Sequence, residues 1–192
     1  MTVLPATKDE WRSRLLADRR AVPPEVRATE AAALAGFARE LVDAGQTVCG
    51  YVPVGTEPGS VQMLDSLRDA GVQVLLPVVV GYAPLDWAVY EGSLRPGPHR
   101  LLEPTGPRLG PQVIGTAAVV LVPALAVDST GIRLGRGAGH YDRSLVHAAP
   151  DAVVAGVVRD QEFLPHLPFE AHDIRMTAVL TPGRGKIDVS SP

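Results

Sequence analysis

Four short runs in this chain are apolar at nearly every position rather than at alternate ones: Val72–Val80, Ala117–Pro123, Val153–Val158 and Ala178–Thr181. A strand of that kind has no wet face, so it belongs inside a sheet covered on both sides. Stretches of helical character stand among them. Lys8–Arg20 has good helix formers, neither Gly nor Pro, and Thr7 placed to cap it. A second helix is expected over Glu25–Ala44, with Leu34, Phe37 and Leu41 on one face and Gly45 as its stop. A third is expected over Ser60–Ala70, and a fourth from Gly139 to just before Pro150. Thr47–Pro53 is a short β-rich run, and Leu85–Glu91 alternates like an outer or antiparallel strand. Helices alternating with buried strands specify an α/β fold: one domain over residues 1–192, in three layers, with a mainly parallel central sheet covered by helices. Residues 183–192 read as a loose tail.

Composition narrows the functional classes. A formal net charge of −3 over 192 residues argues against a general nucleic-acid binder. Of the 18 Lys and Arg, only Lys8 and Lys186 are lysines, so nearly all positive charge is guanidinium. That suits forked contacts to phosphate, although genomic base composition produces the same bias. Cys49 is the single cysteine, so no disulfide framework exists within the chain. No apolar run approaches the ~18 residues of a membrane span, and Met1–Asp18 has no continuous apolar stretch like that of a signal peptide. The expectation is a cytoplasmic, membrane-free monomer.

The most informative stretch runs from Val127 to Arg143. Gly135, Gly137 and Gly139 stand at alternate positions, where bare backbone amides can converge on an anion. Arg133, Arg136 and Arg143 add permanent charge, and Asp142 stands where it could reach a metal ion on phosphate oxygens. The pattern is neither a Walker A loop nor a dinucleotide fingerprint, since about ten residues separate Pro123 from Gly135. From residues alone, a phosphate cradle and a plain glycine-rich turn both remain open.

The same residues resemble a known signature. Val122-Pro123-Ala124-Leu125-Ala126-Val127-Asp128, Gly131, Arg133-Leu134-Gly135-Arg136-Gly137, Gly139 and Tyr141-Asp142-Arg143 are similar to the motif of the 5-formyltetrahydrofolate cyclo-ligase family. His140 stands where the family usually has Tyr or Phe, and Ala138 where Gly or Lys is common. Lys8 and Arg12 resemble the family's N-terminal Lys-x-x-x-Arg, and Glu57 its substrate glutamate. Leu85-Asp86-Trp87, Leu102-Glu103-Pro104, Leu164-Pro165 and His172-Asp173 also stand where the family has similar residues.

The resemblance implies ATP-dependent conversion of 5-formyltetrahydrofolate to 5,10-methenyltetrahydrofolate, with magnesium. It assigns Lys8, Asp9, Arg12 and the run Arg133, Leu134, Gly135, Arg136, Gly137, Ala138, Gly139, His140 and Tyr141 to ATP. Arg136, Tyr141 and Asp142 are the expected catalytic residues. Val52 and Glu57, with Trp87 stacking, are expected to hold the folate. Asp142 and Asp173 are the expected magnesium ligands. Two other readings fit the same residues: a family relative that binds nucleotide without closing the ring, and another ATP-dependent ligase or kinase acting on a small acid. Retention of Lys8 and Glu57 favours the cyclo-ligase.

Overall fold

The structure, a computed structural model, describes residues 7–98 and 101–189. Residues 1–6, on which part of the signal-peptide reading rests, and residues 190–192 of the expected tail lie outside them. Four parallel strand pairings join β1 (Thr47–Cys49), β2 (Gln73–Val78), β6 (Val119–Pro123), β9 (Val153–Val157) and β11 (Ala178–Thr181). Antiparallel strands β3 (Asp86–Val89) and β12 (Gly185–Asp188) close the two edges, giving the order β12-β11-β9-β6-β1-β2-β3.

The parallel strands bury alternate residues against different layers. Val48, Leu76, Leu121 and Leu180 pack with Leu34 of α2 (Pro24–Glu40) and Leu64 and Leu67 of α3 (Val61–Asp69). Their neighbours Cys49, Leu75, Val120 and Val179 face the other way, towards Ile114 and towards Leu145 of α4 (His140–Leu145). A smaller three-stranded sheet, β10 (Phe163–Leu164), β7 (Ala126–Asp128) and β8 (Arg133–Leu134), carries α1 (Lys8–Ala21). There Trp11 and Leu15 pack on Leu125, Ile132 and Leu167. A two-stranded hairpin, β4 (Leu94–Pro96) with β5 (Leu102–Pro104), completes the sheets.

Helix starts follow the expected chemistry. Thr7 Oγ1 accepts from the Glu10 amide while Glu10 Oε2 accepts from the Thr7 amide, a reciprocal cap. Ser60 Oγ accepts from the Met63 amide. Helix ends depart from expectation. α2 stops at Glu40, four residues before Ala44, because Gln46 and Asp43 close a turn in which Gln46 Oε1 takes the Asp43 amide at 2.8 Å. α4 has six residues and stops well short of Pro150. The expected loose tail is also corrected: Gly185–Asp188 pairs antiparallel with Ala178–Thr181, giving the edge strand's open hydrogen-bonding side a partner.

Arg19, which the helical spacing places near the face of Lys8 and Arg12, is 1% exposed and serves the fold. Its Nε and Nη2 donate to the two oxygens of Glu162 at 2.7 Å each, and Nη2 also donates to the Ala124 carbonyl. Glu162 Oε2 accepts from the Arg159 amide as well. A buried pair of this kind stabilises little over an apolar substitute, but half of it left behind is costly. Glu162→Ala should therefore lower the unfolding free energy by about 3–5 kcal/mol, read from urea denaturation. A loss under about 1 kcal/mol would mean the pair behaves as an exposed one.

Candidate active site

The strand order reverses beside β1: the chain runs from β1 to β2 on one side and later returns to β6 on the other. Ligands of open α/β sheets sit beyond the strand carboxyl ends at such a switch point. Here it opens into a cavity of about 830 Å³. Tyr51, Val52 and Val54 follow β1, and Pro123–Leu125 lies at the end of β6 and just after it. The first turn of α1, residues 133–142 and residues 168–173 complete much of the wall.

One end of the cavity is charged. Lys8, Asp9, Arg12, Arg133, Arg136, Asp142 and Asp173 all line it, as do Leu134, Gly135, Gly137, Ala138, Gly139, His140 and Tyr141. Several of the charges meet in close pairs. Lys8 Nζ reaches Asp173 Oδ2 at 2.7 Å, Arg133 Nη2 reaches Asp142 Oδ2 at 2.8 Å, and Arg136 Nε reaches Glu57 Oε1 at 2.9 Å. Arg12 Nε donates to the Gly135 carbonyl at 3.0 Å, joining α1 to the glycine run, and pairs with Asp9. Arg133 keeps a buried Nε with no acceptor.

The glycine run has steric reasons. Gly137 (φ +103°) and Gly139 (φ +67°) adopt backbone that side-chain-bearing residues avoid. Gly139 precedes α4 directly, but six residues make too short a helix for a strong dipole, so the attraction for anions rests on the guanidinium groups and amides. Arg143 turns away from the cavity: its Nη2 donates to the Ala138 carbonyl at 2.9 Å and braces the loop from behind.

Asp128 holds this end in place. It is fully buried. Its Oδ1 accepts from the Thr130 amide, the Thr130 hydroxyl and the Ile132 amide, and its Oδ2 accepts from the Leu167 amide. One carboxylate thus sets both the turn before Arg133 and the segment leading to Asp173. Sequence reasoning quoted Asp128 without a role; the Asp-Ser-Thr-Gly sequence after the strand was the available signal, an aspartate bonding its own turn.

Asp142 lies beside the segment that carries Asp173, since the Ile174 amide donates to Asp142 Oδ1 at 3.4 Å. Burial would raise the Asp173 carboxyl, but the hydrogen bond from Lys8, the Glu170 amide and the Lys8 charge outweigh it and hold it below its ordinary range. Glu170, His172 and Asp173 place possible ligand atoms within 4.8 Å of one another. Two carboxylates with spare oxygen lone pairs suit a hard, oxygen-seeking cation such as magnesium. Tyr141 lies beneath the Arg133 guanidinium at 5.8 Å, and burial followed by the nearby Glu57 charge pushes its phenol up, so it stays protonated. Tyr51, raised chiefly by burial, likewise keeps its proton and donates to the Pro58 carbonyl at 2.6 Å.

The lining also includes apolar residues: Val52, Val54, Pro77, Val79, Leu101 and Leu102. Trp87, expected to stack on a ligand, is not there. It has 0% exposure and packs with Leu85 and Ile114 in the core. The segment after β5 folds over the edge of β3, with the Leu109 amide donating to the Trp87 carbonyl and the Gly110 amide to Asp86, and this covers the indole. Glu103 and Tyr51 line the cavity in addition to the expected residues.

Over most of its length the chain is similar to known proteins. The model of the 5-formyltetrahydrofolate cyclo-ligase family matches residues 5–182. A 5-formyltetrahydrofolate cyclo-ligase of Mycolicibacterium smegmatis is 52% identical over 187 residues, covering 94% of this chain and 96% of that one. The Saccharomyces cerevisiae protein of the same name is 35% identical over 102 residues, half of this chain and 46% of its own. An NMR structure of Aquifex aeolicus 5,10-methenyltetrahydrofolate synthetase superposes with a TM-score of 0.79 at 23% identity, covering 96% of this chain and 94% of that one. A structure of the Mycoplasma pneumoniae 5,10-methenyltetrahydrofolate synthetase gives 0.72 at 16% identity, covering 90% and 96%. With residues 5–182 matched by the family model and 52% identity over 94% of its length to the Mycolicibacterium smegmatis protein, the chain belongs to the 5-formyltetrahydrofolate cyclo-ligase family.

Proposed function

We propose that this protein closes the imidazoline ring of 5-formyltetrahydrofolate, using ATP, to give 5,10-methenyltetrahydrofolate, ADP and phosphate. The observation that carries the reading is one cavity lined both by the glycine run with Lys8, Arg12, Arg133 and Arg136 and by apolar residues such as Val52, Pro77 and Leu102. The triphosphate belongs beside the first set and the folate beside the second. The reading includes a cytoplasmic enzyme acting as a monomer. No helix among the described residues is long and apolar enough to cross a membrane.

The need for ATP follows from the substrate. The N5-formyl group is an amide, whose carbon is a poor electrophile and whose oxygen is a poor leaving group. Transfer of the γ-phosphoryl group to that oxygen makes it a phosphate ester on an iminium carbon. N10 then attacks the carbon, loses its proton to solvent, and the C–O bond breaks with its electron pair leaving on phosphate. N10 is its own nucleophile, so the protein supplies position and charge. Lys8, Arg12, Arg133 and the amides of Gly135–Gly139 hold the phosphates. Arg136, aimed by Glu57, neutralises charge on the transferring group. Tyr141, held as a phenol, donates or accepts a hydrogen bond but does not serve as a base. Val52 and Glu57 face the folate. Asp142 and Asp173 are suited to hold magnesium, whose contribution when bound is to offset phosphate charge.

Two outcomes test this. Wild-type protein given 5-formyltetrahydrofolate, ATP and magnesium should develop the methenyl absorbance. Asp142→Asn, which keeps an amide oxygen for Arg133 to donate to, should cut kcat/KM by roughly 100-fold or more with only a modest fall in Tm. Stability lost in step with activity would instead make Asp142 a partner for Arg133 and nothing more. The second outcome concerns Asp173. Its folded carboxyl is depressed, so its stabilising effect is complete above the unfolded value of about 3.9 and is lost as pH falls through the lower folded value. The stability gap between wild type and Asp173→Asn should thus be constant from about pH 6 to 8 and shrink below about pH 4. A gap that persists in acid would disconnect it from the Lys8 pair.

A further inference from the structure

Of the large apolar side chains left exposed among the described residues, Leu102 and Phe169 line the cavity. Phe169 is the aromatic one, with 54% of its surface open. The two tyrosines of the lining are engaged: Tyr51 is buried with its hydroxyl on the Pro58 carbonyl, and Tyr141 lies beneath the Arg133 guanidinium. A lone phenyl ring on an outer surface is unremarkable. On the wall of a ligand cavity it is a flat apolar face kept open.

The ring is braced from behind. The Arg175 guanidinium carbon lies 5.6 Å from its centroid, a cation–π contact. Arg175 Nη1 donates in turn to the Thr130 carbonyl and hydroxyl oxygens at 2.8 Å each. Thr130 is held by Asp128 Oδ1 through its own amide and hydroxyl. The ring is thereby tied to the same buried carboxylate that sets the turn before Arg133. A ring fixed in advance loses less freedom when a ligand stacks on it.

Its place in the cavity follows from α1. Arg12 reaches the Gly135 carbonyl, while Lys8, one helical turn earlier, reaches Asp173 at 2.7 Å and Glu170 at 3.5 Å. Glu170 directly follows Phe169 in the chain. The first turns of α1 therefore connect the glycine run to the Phe169 segment, a step of about 6 Å along the helix axis. A phosphate chain held by the glycine run, Arg12 and Lys8 carries whatever is attached to it towards Phe169.

We propose that Phe169, braced by Arg175, is the platform on which the base of the nucleoside triphosphate stacks. The proposal rests on the cyclo-ligase reading for the placing of the phosphates. The folate is the lesser fit, since the apolar residues assigned to it, such as Val52 and Pro77, belong to the segments of β1 and β2 rather than to the contacts of Lys8. Stacking on an aromatic ring uses the flat face that every base presents.

The test is calorimetric titration of wild type, Phe169→Ala and Phe169→Tyr with ATP and magnesium, and with inorganic tripolyphosphate, which has the phosphates and no base. Phe169→Ala should weaken ATP roughly 5- to 150-fold and leave tripolyphosphate unchanged, whereas Phe169→Tyr should bind ATP as wild type does. In turnover, Phe169→Ala should raise the KM for ATP with kcat and the KM for 5-formyltetrahydrofolate little changed, because the base keeps the same contact throughout phosphoryl transfer. Phe169→Leu, which keeps apolar bulk without the ring, should weaken ATP in the same sense and carries the comparison if the alanine variant loses its fold. Unchanged ATP affinity in Phe169→Ala overturns the proposal, as does equal weakening of ATP and tripolyphosphate or a loss confined to the folate. Wild type that binds ATP with this dependence but leaves 5-formyltetrahydrofolate unconverted removes the cyclo-ligase reading and keeps the platform. Wild type that converts the folate while Phe169→Ala binds ATP equally well removes the platform alone, and wild type that binds no nucleotide removes both.

Discussion

Strands apolar on both faces cannot stand against water, and that constraint organises the whole molecule. It requires helices on each side of the sheet, which α2 and α3 supply on one face and α4, with the 3-10 turn Pro111–Thr116, on the other. Connections that cover both faces make the strand order turn back on itself beside β1. Where it turns back, the loops part and leave a crevice. The cavity is thus a consequence of how the sheet is covered, and its lining comes from distant parts of the chain: α1, the loop after β1, the hairpin of β4 and β5, the glycine run and residues 168–173.

Within that crevice, opposite charges hold one another. Lys8 with Asp173, Arg133 with Asp142 and Arg136 with Glu57 are close pairs at the wall of one cavity. Unpaired, such groups would be costly where water is partly excluded. The pairing keeps cations and carboxylates ready without a large uncompensated charge. A polyphosphate and its metal would exchange these contacts for new ones of the same kind, a cation turning to phosphate and a carboxylate to the metal. The geometry is set beneath them by Asp128, whose buried oxygens take four donors from two segments. Because that carboxylate is satisfied within the fold, it is a fixed point from which the loop to Arg133 and the segment to Asp173 both depart.

Among the described residues, Glu103 Oε1 lacks such compensation. A protein that keeps a buried acceptor without a donor gives up some stability at that point. The same trade appears in Arg133, whose Nε is buried without an acceptor.

The parallel sheet, the antiparallel strand near Trp87, three of the helix starts and the glycine run were legible in the sequence, because they rest on local rules: apolar runs, capping side chains and backbone freedom. The residues expected at the charged end do line one cavity, although that expectation drew on family resemblance as well as on spacing. Other features were decided by contacts between segments far apart in sequence. Trp87 left the ligand side because the Thr105–Thr116 segment covers it; Arg19 left the helix's basic face because Glu162, 143 residues away, meets it in the core. Gly185–Asp188 became a strand because β11 had an open edge. A sequence carries the periodicity of each segment and the chemistry of each side chain. Which side chains lose their water, and which find a partner when they do, depends on how the segments pack against one another.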